Sequence, residues 1–189
     1  MLYLASQSPR RRELLDQIGL QFGVLDVNVP EQRLPGEPPV DYVSRVAREK
    51  AGAGLLKVMS NSSAVVLGAD TEVVLDDVVY GKPADAKDAA RMLRELSGKT
   101  HRVISAVWLL NAGNEQHIIS ESLVRFKELD DLEILRYITS EEWFGKAGAY
   151  AIQGRAASFI EHLDGSHSCV MGLPLFETSQ LLKKFGINV

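Results

Sequence analysis

The run Ala64-Val65-Val66-Leu67, followed by Gly68-Ala69-Asp70-Thr71, constrains this chain more than any other stretch. Four apolar residues, two of them β-branched, form the pattern of an interior strand. An open α/β sheet gathers its ligands at the carboxyl ends of such strands. The run therefore predicts a buried strand that ends by delivering one carboxylate, Asp70, with Gly68 and Ala69 leaving room beside it for something to approach. A single Asp at a strand end also caps turns by bonding nearby backbone. Asp70 gains meaning only from what the rest of the chain brings near it.

The amino-terminal segment supplies the first such group. Leu2 to Ala5 reads as a short strand, and Ser6-Gln7-Ser8 turns it into a helix that begins at Pro9 and stops before Gly19. Ser8 suits an N-cap, Pro9 the first helical position and Gly19 the carboxyl-terminal stop, while Leu14, Leu15 and Ile18 form the buried face. Arg10, Arg11 and Arg12 contradict this order, because the helix dipole disfavours cations in the first turn by about 0.3 to 1 kcal/mol each. Either the arginines form a solvated basic face, or an anion compensates them. Free backbone N–H groups, two serine hydroxyls and guanidinium forks together suit a phosphate.

A second strand over Phe22 to Val27 leads into a proline- and glycine-rich loop from Asn28 to Pro39, which carries Glu31. Loops of this length inside a compact domain are often functional. The helix that follows, from Val40 to Met59, places Val43, Val46, Ala47, Ala51, Gly54 and Val58 on one side at about 100° per residue. Lys50 falls in the middle of that side. A lysine there either snorkels to solvent or meets an anion, since an unpaired buried ammonium is costly. Gly52 and Gly54 point to close packing or an early helix end.

Beyond Asp70, Val73-Val74-Leu75 and Val78-Val79-Tyr80 flank Asp76-Asp77 and predict a hairpin with a two-residue turn. Leu75 then faces Val78, and counting back sets Lys82 opposite Thr71, beside Asp70. Scaffold follows. Asp85 caps a helix through Ser97 with Ala86, Ala89, Ala90, Leu93 and Leu96 inward, two long strands cover Val103–Leu110 and Ile118–Phe126, and Asp130 with Glu133 forms a capping box. The stretch from Trp143 to Gly154 alternates glycines, aromatics and one amide without a clean period, and could line a flat ligand. Two strands about Asp164-Gly165 and a last helix with Phe176, Leu181, Leu182 and Phe185 inward complete the pattern.

Composition narrows the function classes. A formal net charge of -4 over 189 residues argues against a general nucleic-acid or membrane-surface binder, which needs a broad basic field. No apolar stretch approaches the roughly 20 residues of a membrane span. Cys169 is the only cysteine, so no internal disulfide forms and a reducing, cytoplasmic setting is expected. His101, His117, His162 and His167 lack the spacing of a zinc motif, and His167 with Cys169 lacks the wider context of a thiol enzyme. There is no Walker loop and no GxGxxG after a strand. What remains is Arg10, Arg11, Lys50 and Lys82 as cations with Asp70 and Glu31 as carboxylates. That mixture suits phosphoryl chemistry, in which carboxylates hold a hard divalent ion and cations offset charge on the leaving group.

Seven stretches in order carry a resemblance: Leu4-Ala5-Ser6-Gln7-Ser8-Pro9-Arg10-Arg11, Ala47-Arg48-Glu49-Lys50-Ala51, Gly68-Ala69-Asp70-Thr71, Gly81-Lys82-Pro83, Lys146-Ala147-Gly148-Ala149-Tyr150, Ile152-Gln153-Gly154 and Val170-Met171-Gly172-Leu173-Pro174-Leu175. Together they resemble the Maf family of nucleoside triphosphate pyrophosphatases over nearly the whole chain. The resemblance implies one domain over residues 1–189, with a mixed α/β fold like that of inosine triphosphate pyrophosphatases: a twisted mixed sheet flanked by helices, in two lobes around a cleft. It implies hydrolysis of a nucleotide to its monophosphate and pyrophosphate with Mg²⁺ or Mn²⁺, as a house-cleaning activity on the nucleotide pool, by a homodimer. Carried over by position, Asp70 looks like the proton acceptor and a metal ligand, Glu31 a metal ligand, Lys50 and Lys82 catalytic cations, and Ser8 and Arg11 phosphate contacts. Arg10, Thr71 and Gln153 look like the subgroup that takes dTTP and UTP. Another subgroup has Trp, Gln and Glu there and takes 7-methylguanosine triphosphate. The Gln153 amide donates and accepts at once, as a uracil or thymine edge requires. The family is also linked to inhibition of septum formation, which would make the chain a regulatory binding protein. Gly145, Pro30 and Glu72 depart from the family pattern, which has acidic residues at the first two positions and an apolar one at the third.

Overall fold

The strand predicted at Ala64–Leu67 outruns its apolar residues. In the computed structural model, which describes residues 1–189, β3 spans Val65–Leu75, so Asp70 lies inside the strand and not at its end. The second β-branched run, Val73-Val74-Leu75, keeps the backbone extended through the polar residues between. The parallel neighbour is shorter. Strand β1 (Leu2–Leu4) pairs Leu2 with Val65 and Leu4 with Leu67, and Ala5 N then donates to Leu67 O at 2.8 Å. Asp70 therefore stands beyond the carboxyl end of β1, the position at which ligands gather.

The remaining elements are α1 (Pro9–Gln17), β2 (Phe22–Val24), α2 (Pro39–Lys57), β4 (Val78–Tyr80), α3 (Ala86–Leu96), β5 (Thr100–Leu110), β6 (Glu115–Phe126), α4 (Asp131–Thr139), β7 (Ile160–Asp164), α5 (His167–Met171) and α6 (Leu175–Lys184). The strands form a seven-stranded sheet in the order β2-β1-β3-β5-β6-β7, with β4 added on β3. Pairing is parallel for β1 with β2 and β3, and antiparallel for β3 with β4 and β6 with β7. This is the mixed α/β class that the sequence predicts. The chain divides into two compact units: Met1–Thr71, Ser105–Ser120 and Gly172–Val189 form the first, and Glu72–Ile104 with Glu121–Met171 the second.

In the first unit, Leu4, Leu14, Leu15, Val43, Val46, Leu67, Leu109 and Leu182 are buried. Helix α2 buries Val43, Val46, Ala47, Ala51 and Gly54 as helical phasing predicts, with Lys50 at the centre; Tyr42 joins them, while Val58, expected on the same side, lies past the helix end and is half-buried. The helix runs through Gly52 and Gly54; at Gly54 the reason is proximity, since a Cβ there would sit 2.8 Å from Ala5 Cβ, whereas one on Gly52 would meet nothing within 4 Å. Strand β2 stops at Val24, short of the expected Val27. In α6 the buried residues are Thr178, Leu181 and Leu182, and Phe176, expected inward, is exposed.

In the second unit, the hairpin has the predicted register, Leu75 opposite Val78 and Val73 opposite Tyr80. Its turn residues Asp76 and Asp77 have φ of 49° and 62°, as a two-residue turn with both centres left-handed requires. Asp85 caps α3 through Asp88 N, and Asp130 with Glu133 makes both bonds of the capping box of α4. Met92 is buried on α3 where Ala86 was expected. In the stretch from Trp143 to Gly154, Trp143, Ala149, Tyr150 and Ile152 belong to the core with Phe126, Tyr137 and Phe159, while Gln153 is exposed. The second strand expected after Gly165 is a helix instead. Ser166 Oγ accepts from Cys169 N and Ser166 O from Val170 N, which winds the chain into α5 and parts His167 from any shared face with Cys169.

Candidate active site

The site begins with a glycine that lets a helix come close. A Cβ on Gly68 would lie 2.3 Å from Ala47 O and 2.5 Å from Ala51 N, so any larger residue would collide with the backbone of α2. The room that Gly68 leaves is taken by the protein's own helix. Lys50, between Ala47 and Ala51, is thereby delivered to Asp70: Lys50 Nζ donates to Asp70 Oδ1 at 2.7 Å. The same ammonium stands 2.7 Å from Glu31 Oε1. Lys50 does not snorkel; it is 8% exposed and Asp70 is 5% exposed.

Lys50 and Asp70 are buried while Glu31 is exposed, and the triad leaves one reactive atom. Asp70 Oδ1 is held by Lys50, whereas Asp70 Oδ2 is buried with no hydrogen-bond partner. A buried carboxylate oxygen without a donor costs free energy and is a strong place for a proton or a cation to arrive. Two carboxylates also fit a hard divalent ion, which is commonly held by one or two protein carboxylates with substrate phosphates and water as the other ligands. Asp70 and Glu31, both beside the Lys50 ammonium, are the carboxylates here that could hold such an ion.

Behind the triad in the same unit lies a polar network. Arg11, predicted on the basic face of α1, is buried; its Nε donates to Gly172 O at 2.8 Å, its Nη1 to Ser6 Oγ and its Nη2 to Thr71 Oγ1, both at 3.2 Å. Thr71 Oγ1 also lies 2.7 Å from Ser105 Oγ and 3.3 Å from Gly172 O. Arg11 and Thr71 thus meet, as the sequence assigns both to one site. Ser6 and Ser105 were not anticipated. Ser6 stood next to Ser8 as a second hydroxyl, but its burial against Arg11 needs the fold; Ser105, inside the apolar strand Val103–Leu110, gives no local signal.

The other expected residues are placed as follows. Ser8 is the N-cap of α1 without a side-chain cap bond, and its backbone N donates to Ser6 Oγ at 3.2 Å. Arg10 is half-buried in the first turn of α1, which contains no acidic residue. Lys82 and Gln153 are exposed residues of the second unit, Lys82 just past the end of β4 and Gln153 in the turn before Arg155. Gly145, where the family has an acidic residue, has φ of 67°, a left-handed turn that glycine adopts at low cost.

The chain matches the family described as Maf-like protein over residues 1–185. A dTTP/UTP pyrophosphatase of Xanthomonas campestris is 55% identical to it over the full length of both chains. Another from Aromatoleum aromaticum is 52% identical over 98% of this chain and 95% of its own. A nucleoside triphosphate pyrophosphatase of Xylella fastidiosa is 53% identical over 98% of each. Among solved structures, a Vibrio cholerae protein aligns at a TM-score of 0.35 with 12% identity over 74% of each chain, too distant to bear on the fold. A family match that runs almost end to end, with relatives alike at more than half of their positions, settles the lineage: the chain belongs to the Maf family.

Proposed function

We propose that this protein hydrolyses nucleoside triphosphates to the monophosphate and pyrophosphate, with dTTP and UTP as its preferred substrates. The names of its relatives support the substrate class. The single observation that carries the chemistry is Asp70, one oxygen fixed by Lys50 and the other buried and unpartnered. An acceptor held rigid, with one oxygen not yet hydrogen-bonded, is what general-base catalysis needs.

The step balances as follows. A water bonded to Asp70 Oδ2 attacks the α-phosphorus in line as its proton passes to that carboxylate oxygen; the bond from the α-phosphorus to the α,β-bridging oxygen breaks, and pyrophosphate leaves with the electron pair. Lys50 keeps Asp70 in place and Glu31 close to the same ammonium. Asp70 and Glu31 would hold Mg²⁺ or Mn²⁺, which supplies charge neutralisation at the phosphate oxygens when bound. Arg10, Ser8 and Lys82 supply donors for the phosphates, Arg11 joins Ser6 and Thr71 behind them, and Thr71 with Gln153 contributes to base choice. We further infer a homodimer from the resemblance of the sequence to its family, and a reducing cytoplasmic setting from the single cysteine.

Pyrophosphate release measured across dTTP, UTP, CTP and 7-methylguanosine triphosphate, with and without Mg²⁺, tests the reading. Turnover of dTTP and UTP that requires the ion is expected. Asp70→Asn keeps the shape and removes the acceptor, so release should fall by at least about 100-fold, the usual worth of a general base, with the folded far-ultraviolet spectrum unchanged. Near-normal turnover by that variant would sink the assignment.

A further inference from the structure

The Thr71 hydroxyl is heavily committed within the protein. One proton and two lone pairs are all that a hydroxyl has. Arg11 Nη2 donates to Thr71 Oγ1 at 3.2 Å, which takes one lone pair. Two contacts compete for the rest: Ser105 Oγ at 2.7 Å, where either oxygen could donate, and Gly172 O at 3.3 Å, which can only accept. If Thr71 gives its proton to Gly172 O, Ser105 donates to it and the hydroxyl is saturated. If it gives the proton to Ser105, one lone pair is left. In both arrangements the proton stays inside the protein.

Four elements meet at this oxygen: Arg11 from α1, Thr71 from β3, Ser105 from β5 and the Gly172 carbonyl before α6. Ser105 is 0% exposed, so no ligand reaches it directly. Gly172 has φ of +117°, in the region that other residues avoid, so its carbonyl direction is set by an unusual backbone that the Arg11 and Thr71 bonds hold in place.

We propose that Ser105 is a positioning residue for substrate selection. It fixes the Thr71 hydroxyl, which with Arg11 aims the Gly172 carbonyl, and Thr71 affects base choice through this lock and not by donating a hydrogen bond to the base. The proposal rests on the nucleotide-hydrolase reading above.

The test is a double-mutant cycle on the full chain, with Thr71→Val, Ser105→Ala and both together, measured as kcat and KM for UTP and CTP beside the thermal midpoint. Ser105→Ala should raise KM for UTP by about 2- to 10-fold, the worth of one hydrogen bond, lower the UTP-to-CTP ratio of kcat/KM and leave kcat within about 2-fold. The double variant should be no worse than Thr71→Val alone, because residues in one network are not additive. Thr71→Ser, which keeps the hydroxyl, should restore the ratio. Additive losses, or a lowered midpoint with an unmoved ratio, would overturn the positioning role. A wild-type protein that releases no pyrophosphate from UTP would instead fail the functional reading, and the proposal with it.

Discussion

Lys50 shows how a single residue can be legible in sequence and yet undecided. Its place at the centre of the apolar stripe of α2 follows from periodicity; its partners, Asp70 and Glu31 at 2.7 Å each, do not. Its ammonium offsets the buried Asp70 and the exposed Glu31, and removing it leaves the Asp70 charge buried and uncompensated. Lys50→Met should therefore cost about 3 to 5 kcal/mol in urea unfolding and abolish pyrophosphate release. Lys50→Arg should not rescue activity, since a planar fork cannot take the place of a point cation between two oxygens. A Lys50→Met variant as stable as the parent would show that the pair contributes nothing net.

At the level of elements, the decisive contact is between α2 and β3. Gly68 was read as space for a ligand; the space is filled by the backbone of α2 at Ala47 and Ala51. The helix cannot yield by turning a side chain, because the atoms that a Cβ would strike are backbone. Gly68→Ala should lower the thermal midpoint in keeping with overpacking of about 1 to 3 kcal/mol. By forcing α2 outward it should also cut activity more than stability alone accounts for. Turnover at the parental level in a folded Gly68→Ala protein would show that the approach of α2 does not set the Lys50 to Asp70 distance. The same scale explains the failed strand after Gly165. The segment winds into a helix because Ser166 offers both a hydroxyl and a carbonyl as first acceptors.

For the molecule as a whole, the pH range of stability depends on His101, 1% exposed in the second unit with its Nε2 2.8 Å from the Tyr150 hydroxyl and its ring edge-on to Phe126. Burial pushes its imidazole down from 6.5 to about 4. The unfolded chain takes a proton near 6.5 while the folded one does not. The stability this group contributes is therefore complete above 6.5 and is lost as pH falls toward 4, by at most about 1.4 kcal/mol per pH unit. Thermal midpoints at pH 7.5, 5.5 and 4.5 should fall less steeply for His101→Gln, which can still accept from Tyr150. Equal slopes in both proteins would exclude His101 as the cause. No helix is long and apolar enough to cross a membrane.

Local chemistry in the sequence was enough to determine the caps at Asp85 and Asp130, the hairpin register from Leu75 to Val78 and most of the α2 face, because each depends on residues within a turn or a strand of one another, whereas the mixed α/β class came from the family likeness. The family likeness, read from motifs spread along the chain, named the charged residues before any of them could be seen together. Only the tertiary structure decided that Asp70 lies inside a strand with one oxygen left open, that Gly68 admits α2, and that Ser6 and Ser105 join Arg11 and Thr71. The Arg11 of that network also reaches the Gly172 carbonyl, 161 positions away, and no local pattern records which side of a buried hydroxyl or carboxylate its distant partner will fill.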